Sequence, residues 1–353
     1  MTETSAVPTE KKLTISLLIP CYNEEQGIEA SVESCLAQTR PFDQLVFVND
    51  CSKDRTLEIL EKFADRVTVV TTPRNTGNKS SAQEYGLTFV TGDILVTTDG
   101  DTLLDEHFVE EVEKSFREPR VAAVAGYVRS RPYNWLTLCR AFEYALGQGI
   151  HKLAQHYMDY IFVMPGAASA FRTDLFRSYC TFDHDTITED LDFTYKMHVK
   201  RLKIVHNPRA ITYTQDPANL HNYINQVRRW SGGGWQNLLK HYRSIPAHPV
   251  RALELSLIYS EGVVFSLLLF VIPLINLWVW FWTLAGYFIV ALIFSVWAAW
   301  HERRLALLLV AFPYVFLVYV NAYIYLEQFF KEIVLQRKNL IWFKPERFSM
   351  PSN

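Results

Sequence analysis

The sequence predicts an α/β domain with a mostly parallel sheet flanked by helices. Interfacial helices and about three C-terminal transmembrane helices follow it. Three observations carry that reading. Apolar, β-branched runs alternate with helical patterns along the N-terminal third of the chain. Polar, mostly acidic residues follow each run. Charged residues are absent from Gly262 to Trp300 and again from Leu305 to Leu326.

The first strand is LTISLLIP (13–20), ended by Pro20, and a helical pattern runs over 25–38. QLVFVND (44–50) is the second strand, followed by a helix over 54–64. RVTVVTT (66–72) precedes a helix over 79–90, and DILVTTD (93–99) is the fourth strand. Four buried strands in series with helices make a parallel sheet covered on both faces. In such sheets ligands bind at the carboxyl ends of the strands.

Those ends carry Cys21-Tyr22-Asn23-Glu24, Asn49-Asp50 with Asp54, RNTGNKSS (74–81) and Asp99-Gly100-Asp101. Carboxylates gathered at one edge need a cation between them. With no His or Cys cluster alongside, the oxygen-rich set suits Mg²⁺ or Mn²⁺. In an extended segment Asp99 and Asp101 point the same way, and Gly100 lets a ligand approach the backbone. Together they can hold a metal against a diphosphate, with Lys79 as a further cation for phosphate oxygens. A DxD alone is a common surface loop; its place in a series of polar strand ends favours a nucleotide-sugar site. No G-x-G-x-x-G follows the first strand and no GxxxxGK[ST] occurs, which argues against dinucleotide and P-loop binding.

The net charge of -2 over 353 residues, with no basic block, gives no case for nucleic acid as a partner. Residues 1–12 are polar and read as a disordered N-terminus without a signal peptide, so the domain over 13–218 is expected in the cytoplasm. The five cysteines form no CxxC pair and read as free thiols. A helix over Asn219–Tyr242, within an interfacial segment 219–250, carries QVRRWSGGGW (226–235); the stretch 134–157 is a second interfacial helix, whose His151 and His156 read as ordinary polar-face residues. Transmembrane helices are expected at about 253–275, 277–300 and 305–326, with a basic juxtamembrane tail over 331–353. Arg251, His301–Arg304 and the tail after Lys331 are all basic. The positive-inside rule wants all three on one side, and three crossings cannot satisfy it. Either the tail lies outside or one segment is re-entrant.

PCYNE, NDCSKD, DGD, ITED (187–190) and QVRRW, in that order, resemble the membrane-bound processive family 2 glycosyltransferases, whose members make poly-N-acetylglucosamine, chitin, hyaluronan and cellulose. The resemblance spans roughly residues 13–350. It implies a GT-A type nucleotide-sugar-binding domain and a UDP-sugar-dependent hexosyltransferase. By position, Tyr22, Asp50 and Lys79 would contact the uridine and phosphates of the donor. Asp99 would help hold the nucleotide-sugar, and Asp101 would bind the metal. Asp190 would be the general base, with Glu189 beside it at the catalytic and acceptor side. Gln226, Arg229 and Trp230 match Q-x-x-R-W, and Gly166 lies in PGAASAFR (165–172), which resembles the acceptor-lining loop. The lysine of RNTGNK sits one residue later than in the commoner form.

These residues describe an inverting transfer. A base such as Asp190 activates the acceptor hydroxyl, and a helix N-terminus is expected to keep that carboxylate ionised. Arg229 offers a fork to diphosphate oxygens, Trp230 a flat face for a sugar ring. Gly232, Gly233 and Gly234 are expected to free the backbone so that a following segment closes over the donor. The implied product is a β-linked polysaccharide, with N-acetylglucosamine as the favoured sugar, made at the plasma membrane and coupled to export. The alternative acceptor is a membrane lipid, and a further alternative is a non-catalytic assembly protein. The lipid bilayer and a membrane subunit that supplies further helices are the implied partners.

Overall fold

The protein is described here by a computed structural model covering residues 12–247 and 249–340, without the side chains of 245–251. The N-terminal tail to residue 11, the Arg251 side chain and residues 341–353 of the basic tail lie outside the described residues. The first apolar run forms β1 (Ile15–Cys21), then α1 (Ile28–Leu36), β2 (Gln44–Asn49), α2 (Thr56–Glu61), β3 (Thr68–Thr71), α3 (Lys79–Leu87) and β4 (Ile94–Thr97). Each lies at its expected place, with ends that differ from the expected span by up to three residues. Beyond them come β5 (Leu103–Leu104), α4 (Phe108–Phe116), β6 (Val121–Ser130), α5 (Trp135–Leu146), α6 (Lys152–Tyr157), β7 (Ser169–Arg172), α7 (Thr173–Tyr179), α8 (Glu189–Val199), β8 (Lys203–Thr214) and α9 (Leu220–His241). The C-terminal part contains α10 (Pro249–Ile275), α11 (Leu277–His301) and α12 (Ala311–Phe329).

One sheet carries the domain, in the order β3-β2-β1-β4-β7-β6-β8-β5. The β3-β2-β1-β4 half is parallel, as expected. The other half corrects the expectation of a mostly parallel sheet. β7 runs antiparallel to both β4 and β6, and β5 antiparallel to β8, so the sheet is mixed. Strand composition does not encode direction. β7 is reversed by the path of the chain out of α6, which brings Ser169 opposite Thr97 and Arg172 opposite Ile94.

Both faces are covered. Ile28 and Val32 of α1, Ile59 and Leu60 of α2, and Phe108 and Val109 of α4 pack on one face. Ala82 of α3, Phe176 of α7, and Phe193 and Met197 of α8 pack on the other. This leaves the carboxyl ends of β1, β2 and β4 open along a single edge, where the site is built.

Two helices, Ala252–Ile275 and Leu277–His301, are long and apolar enough among the described residues to cross a membrane. Asn276 separates them and caps α11, its side chain accepting from the N–H groups of Trp278 (2.9 Å) and Val279 (3.2 Å). The third expected transmembrane helix is not supported in that form. Residues 305–309 form a 3₁₀ turn, and the α-helix starts only at Ala311. That helix, α12, is punctuated by Asn321, Glu327 and Gln328, and it is packed along α5 and α9. Its Tyr314 meets Phe142 of α5 at 4.9 Å between ring centroids. Further on, Asn321 accepts from Tyr223 of α9 at 2.7 Å, Glu327 pairs with Arg228 at 2.7 Å, and Phe329 meets Trp235 at 5.3 Å. Both ends of α12 therefore rest on α5 and α9.

α3 crosses β1 and β2 at Gly86, where a Cβ would overlap the Val48 Cγ2 methyl and lie 2.5 Å from Leu18 Cδ1. The Gly86→Ala substitution gains helix propensity but overpacks this contact. It is expected to lower stability by about 1–3 kcal/mol, read as a lower thermal midpoint in detergent at unchanged secondary structure.

Candidate active site

The loop after β2 is organised by Asp50. The carboxylate is buried (4% exposed). It accepts from Thr72 Oγ1 (2.8 Å), the Thr76 N–H (2.9 Å), Thr76 Oγ1 (2.8 Å) and Asn75 Nδ2 (3.3 Å). A carboxylate with so many donors is committed to its own loop. It shapes the 72–78 turn that delivers Lys79 to the first position of α3. Asn78 caps that helix by accepting from the Ser81 N–H at 2.8 Å. Left-handed backbone at Asn23 (φ 54°), Cys51 (φ 52°) and Gly77 (φ 80°) turns three successive chain segments around the same rim. They border a cavity of about 200 Å³, lined by Tyr22, Glu24, Asp50, Asn75, Gly77 and Lys79 among others.

Asp99-Gly100-Asp101 is a turn and not the extended segment expected from sequence. The Thr102 N–H bonds back to the Asp99 carbonyl at 3.1 Å. The same-side argument for the two carboxylates therefore fails. Gly100 is required by packing: a Cβ there would lie 3.0 Å from Glu24 Cγ and 3.5 Å from Cys21 Sγ. The turn directs Asp99 at Lys79, whose Nζ lies 2.5 Å from Asp99 Oδ1 and 3.3 Å from Glu189 Oε1. Burial alone would lower the Lys79 pKa, but Asp99, Glu189 and Asp190 outweigh it and hold the ammonium above its ordinary value.

Glu189 and Asp190 open α8. Asp190 Oδ1 accepts from the Leu191 N–H at 2.8 Å and Oδ2 from the Gly166 N–H at 3.2 Å. Gly166 is the residue that lets the two sides meet, since a Cβ there would lie 2.9 Å from Lys79 Nζ and 3.5 Å from Asp190 Oδ2. Burial, and then the charge of Glu189, push the Asp190 carboxyl up to about 6; Lys79, the Leu191 N–H and Arg229 pull the other way. The sequence-based expectation of modest proton affinity is thus overturned, because desolvation at this depth outweighs the helix N-terminus. Lys152 of α6 is also buried, and burial brings it down to about 7 despite the opposing charge of Asp190.

The QVRRW helix forms as expected, capped by Asn219, which accepts from the Asn222 N–H at 2.9 Å. Its glycines do not act as a hinge. They lie inside continuous α-helix, without positive φ, and serve close packing. Gly233 receives the Thr188 side chain in the space a Cβ would fill; a Cβ at Gly234 would lie 3.3 Å from Tyr259 Oη, and one at Gly232 3.1 Å from Gln328 Oε1. Thr188 accepts from Asn237 Nδ2 at 3.0 Å, and the Ile187 N–H donates to Gln236 Oε1 at 3.0 Å. α9 thereby grips the segment that carries Asp190. The Gln226 amide is buried, and its Oε1 has no hydrogen-bond partner among the described residues. Trp230 is 37% exposed, with its ring over the Arg140 guanidinium at 4.8 Å. Sequence reasoning passed over Arg140, Thr188 and Lys152. Only Arg140 left a signal there, as an Arg-x-x-Glu pair on an otherwise apolar helix.

Asp99, Lys79, Gly166, Glu189 and Asp190 are thus in one place, with Tyr22 and Asp50 on the adjoining cavity; Arg229 reaches Asp190 electrostatically. No group of three or more His, Cys, Asp or Glu side chains converges into a metal cage among the described residues.

Residues 16–180 match the family described as Glycosyl transferase family 2. The poly-beta-1,6-N-acetyl-D-glucosamine synthase of Staphylococcus epidermidis is 28% identical over 237 residues, which is 65% of this chain and 57% of that protein. The synthase of the same description from Staphylococcus aureus (strain COL) is 28% identical over 234 residues, with the same coverages. The chain therefore spans less than two thirds of the length of these relatives. Among solved structures, the mannosyltransferase PcManGT from Pyrobaculum calidifontis, in complex with GDP-Man and Mn2+, superposes with a TM-score of 0.61. It is 20% identical and covers 87% of this chain and 88% of its own. S. aureus TarS 1-349 in complex with UDP gives 0.50 at 16% identity, covering 91% and 92%. At these identities the two structures speak to the GT-A-like fold alone.

Gly233→Val is expected to push Thr188 out of its seat and displace Asp190 from the Gly166 N–H. Helix content should be retained, activity should fall at least about a hundredfold, and stability should drop by about 1–3 kcal/mol. Circular dichroism with a turnover assay on the same sample checks both.

Proposed function

We propose that this chain is an inverting, metal-dependent glycosyltransferase. It moves N-acetylglucosamine from a UDP-sugar to the end of a growing β-linked polysaccharide at the membrane. The observation that carries the proposal is the meeting of a half-buried carboxylate poised near pH 6, Asp190, with the Lys79–Asp99 pair at the mouth of the cavity, in a chain whose residues 16–180 match the family 2 glycosyltransferases. The similarity to poly-beta-1,6-N-acetyl-D-glucosamine synthases supports this sugar and a polymeric product over a lipid acceptor.

The lining of the cavity suits a nucleotide-sugar donor. Tyr22 and the loop held by Asp50 line the part suited to the base. The N-terminus of α3, with Lys79 at its first position, suits the diphosphate. The metal fits by donor chemistry: Asp99 and Asp101 offer only hard oxygen ligands. A cation that shares its coordination with substrate phosphates needs just one or two carboxylates, which agrees with the lack of a three-residue cage. Bound there, Mg²⁺ or Mn²⁺ would offset charge on the leaving diphosphate. Lys79 and the Arg229 guanidinium supply protein cations for the same charge. The orphaned Gln226 oxygen is a ready acceptor for a substrate hydroxyl. Asp190, ionised above about pH 6, takes the proton from the acceptor hydroxyl as it attacks the anomeric carbon. Attack from the face opposite UDP turns an α-linked donor into a β-glycoside.

The membrane reading follows from α10 and α11. Trp278, Trp280 and Trp282 stand at one end of α11 and Trp297 and Trp300 at the other, an aromatic pair of girdles. Trp278 and Trp300 lie about 33 Å apart along a helix, which matches a hydrocarbon core of about 30 Å. The near end is fastened to the catalytic domain, where Glu302 accepts from Tyr127 Oη at 2.6 Å and pairs with Arg129 Nε at 2.7 Å. With α12 resting on α5 and α9, the chain crosses twice. His301–Arg304 and Lys331 then fall on the catalytic side, which satisfies the positive-inside rule that three crossings violated.

Membranes containing the protein, Mn²⁺ and a panel of radiolabelled UDP-sugars test the proposal, with Asp190→Asn as control. The expected product is large, water-soluble, made from UDP-N-acetylglucosamine alone, and reduced at least about a thousandfold in the control. A small product extracted by organic solvent would replace the polymer with a glycolipid. Product formation that is insensitive to Asp190→Asn would remove the assigned base.

A further inference from the structure

Trp230 is the residue of the QVRRW stretch whose flat face the sequence offers to an acceptor sugar ring. Its indole does not stand alone. The Arg140 guanidinium of α5 sits over the ring at 4.8 Å, and over the rings of Tyr144 and Tyr223 at 4.9 and 5.6 Å. Arg140 is 5% exposed, deep for a permanently charged side chain. It is kept there by an ion pair with Glu143, three residues on, and by Asp216, 3.5 Å from its Nε. Each carboxylate is held in turn. Asp216 accepts from Ser130 Oγ at the end of β6, and Glu143 Oε1 accepts from Asn321 Nδ2 of α12 at 3.1 Å. Asn321 Oδ1 then accepts from Tyr223 at 2.7 Å. The guanidinium thus reports to four elements, and its exposed neighbour is Trp230.

We propose that Arg140 is a positioning residue for the acceptor. It fixes the plane of the Trp230 indole from beneath and leaves the opposite face as the platform on which the terminal sugar of the growing chain stacks. The physics is specific to this pair. A desolvated cation over an indole face is worth far more than an exposed one. It holds a ring that has 37% of its surface open and would otherwise sample several rotamers. A fixed ring lowers the ordering cost of sugar stacking. The effect belongs to acceptor binding and not to the donor cavity, which is lined by residues of other elements.

This inference rests on the proposed transfer reaction, so the test reads the two separately. Full-length wild type, Arg140→Lys, Arg140→Met, Trp230→Leu and the Arg140→Met/Trp230→Leu pair are assayed in membranes. UDP release without acceptor reads the donor side. Transfer to a β-1,6-linked N-acetylglucosamine oligosaccharide reads the acceptor side. Arg140→Met is expected to keep acceptor-free UDP release within about twofold and to raise the acceptor KM about tenfold. Arg140→Lys should recover most of that loss, and the double variant should be no worse than Trp230→Leu alone. An unchanged acceptor KM in Arg140→Met would overturn the proposal. So would losses that multiply in the double variant, or UDP release abolished in Arg140→Met and Arg140→Lys alike, which would make Arg140 a residue of the fold. Absence of UDP release and transfer in the wild type itself would instead remove the transferase reading on which the inference stands.

Discussion

The site depends on one ammonium group. Lys79 Nζ stands 2.5 Å from Asp99 and 3.3 Å from Glu189, beside Asp190. Three carboxylates from two distant stretches of sequence meet at the open edge of a sheet, and without a cation their repulsion would drive them apart or protonate them. The rest of the architecture serves to bring that lysine there. Asp50 shapes the loop, Asn78 starts the helix, and Gly166 leaves the space between Lys79 and Asp190 empty. The same cation sets the proton affinity of Asp190. Burial raises it, Lys79 limits the rise, and the result lies where a carboxylate is mostly ionised at neutral pH yet basic enough to accept a proton.

A second constraint is the contact between α9 and the start of α8. Three consecutive glycines in a helix are costly. Here Gly233 admits Thr188 where any side chain would overlap it, and Gly232 and Gly234 allow Gln328 and Tyr259 to pack closely. The helix that carries Gln226, Arg229 and Trp230 is thereby locked to the segment that carries Asp190. The residues proposed for donor, base and acceptor are held as one body. α12 and the α10–α11 hairpin are packed on the same helix, so the candidate site and the apolar helices share a single support.

Much of this was legible in the sequence, for identifiable reasons. The strands and helices up to β4 were read in the right order, with ends within three residues, because period and turn residues are local. The DGD and TED segments were noticed because they follow apolar strands or open a helix. What was missed depends on three dimensions. The reversal of β7 is a matter of chain path. The three glycines permit either a hinge or close packing, and only the partners decide between them. The Asp190 proton affinity turns on burial, which overrides the local helix N-terminus. The third apolar run reads as a membrane span by composition, yet Asn321 and Glu327 are there to bind Tyr223 and Arg228. Arg140 lies about 90 residues from the tryptophan it covers, and no local pattern links them.

The most direct measurement is the pH dependence of kcat/KM, in the wild type and in the residual activity of Lys79→Met. Asp190 must be ionised to act, so activity should be level above the folded-state value and fall about tenfold per pH unit below about 6. Lys79 lowers the Asp190 value, so its removal should move this limb to higher pH. An activity that stays level down to pH 5, or a limb that does not move in Lys79→Met, would contradict the account.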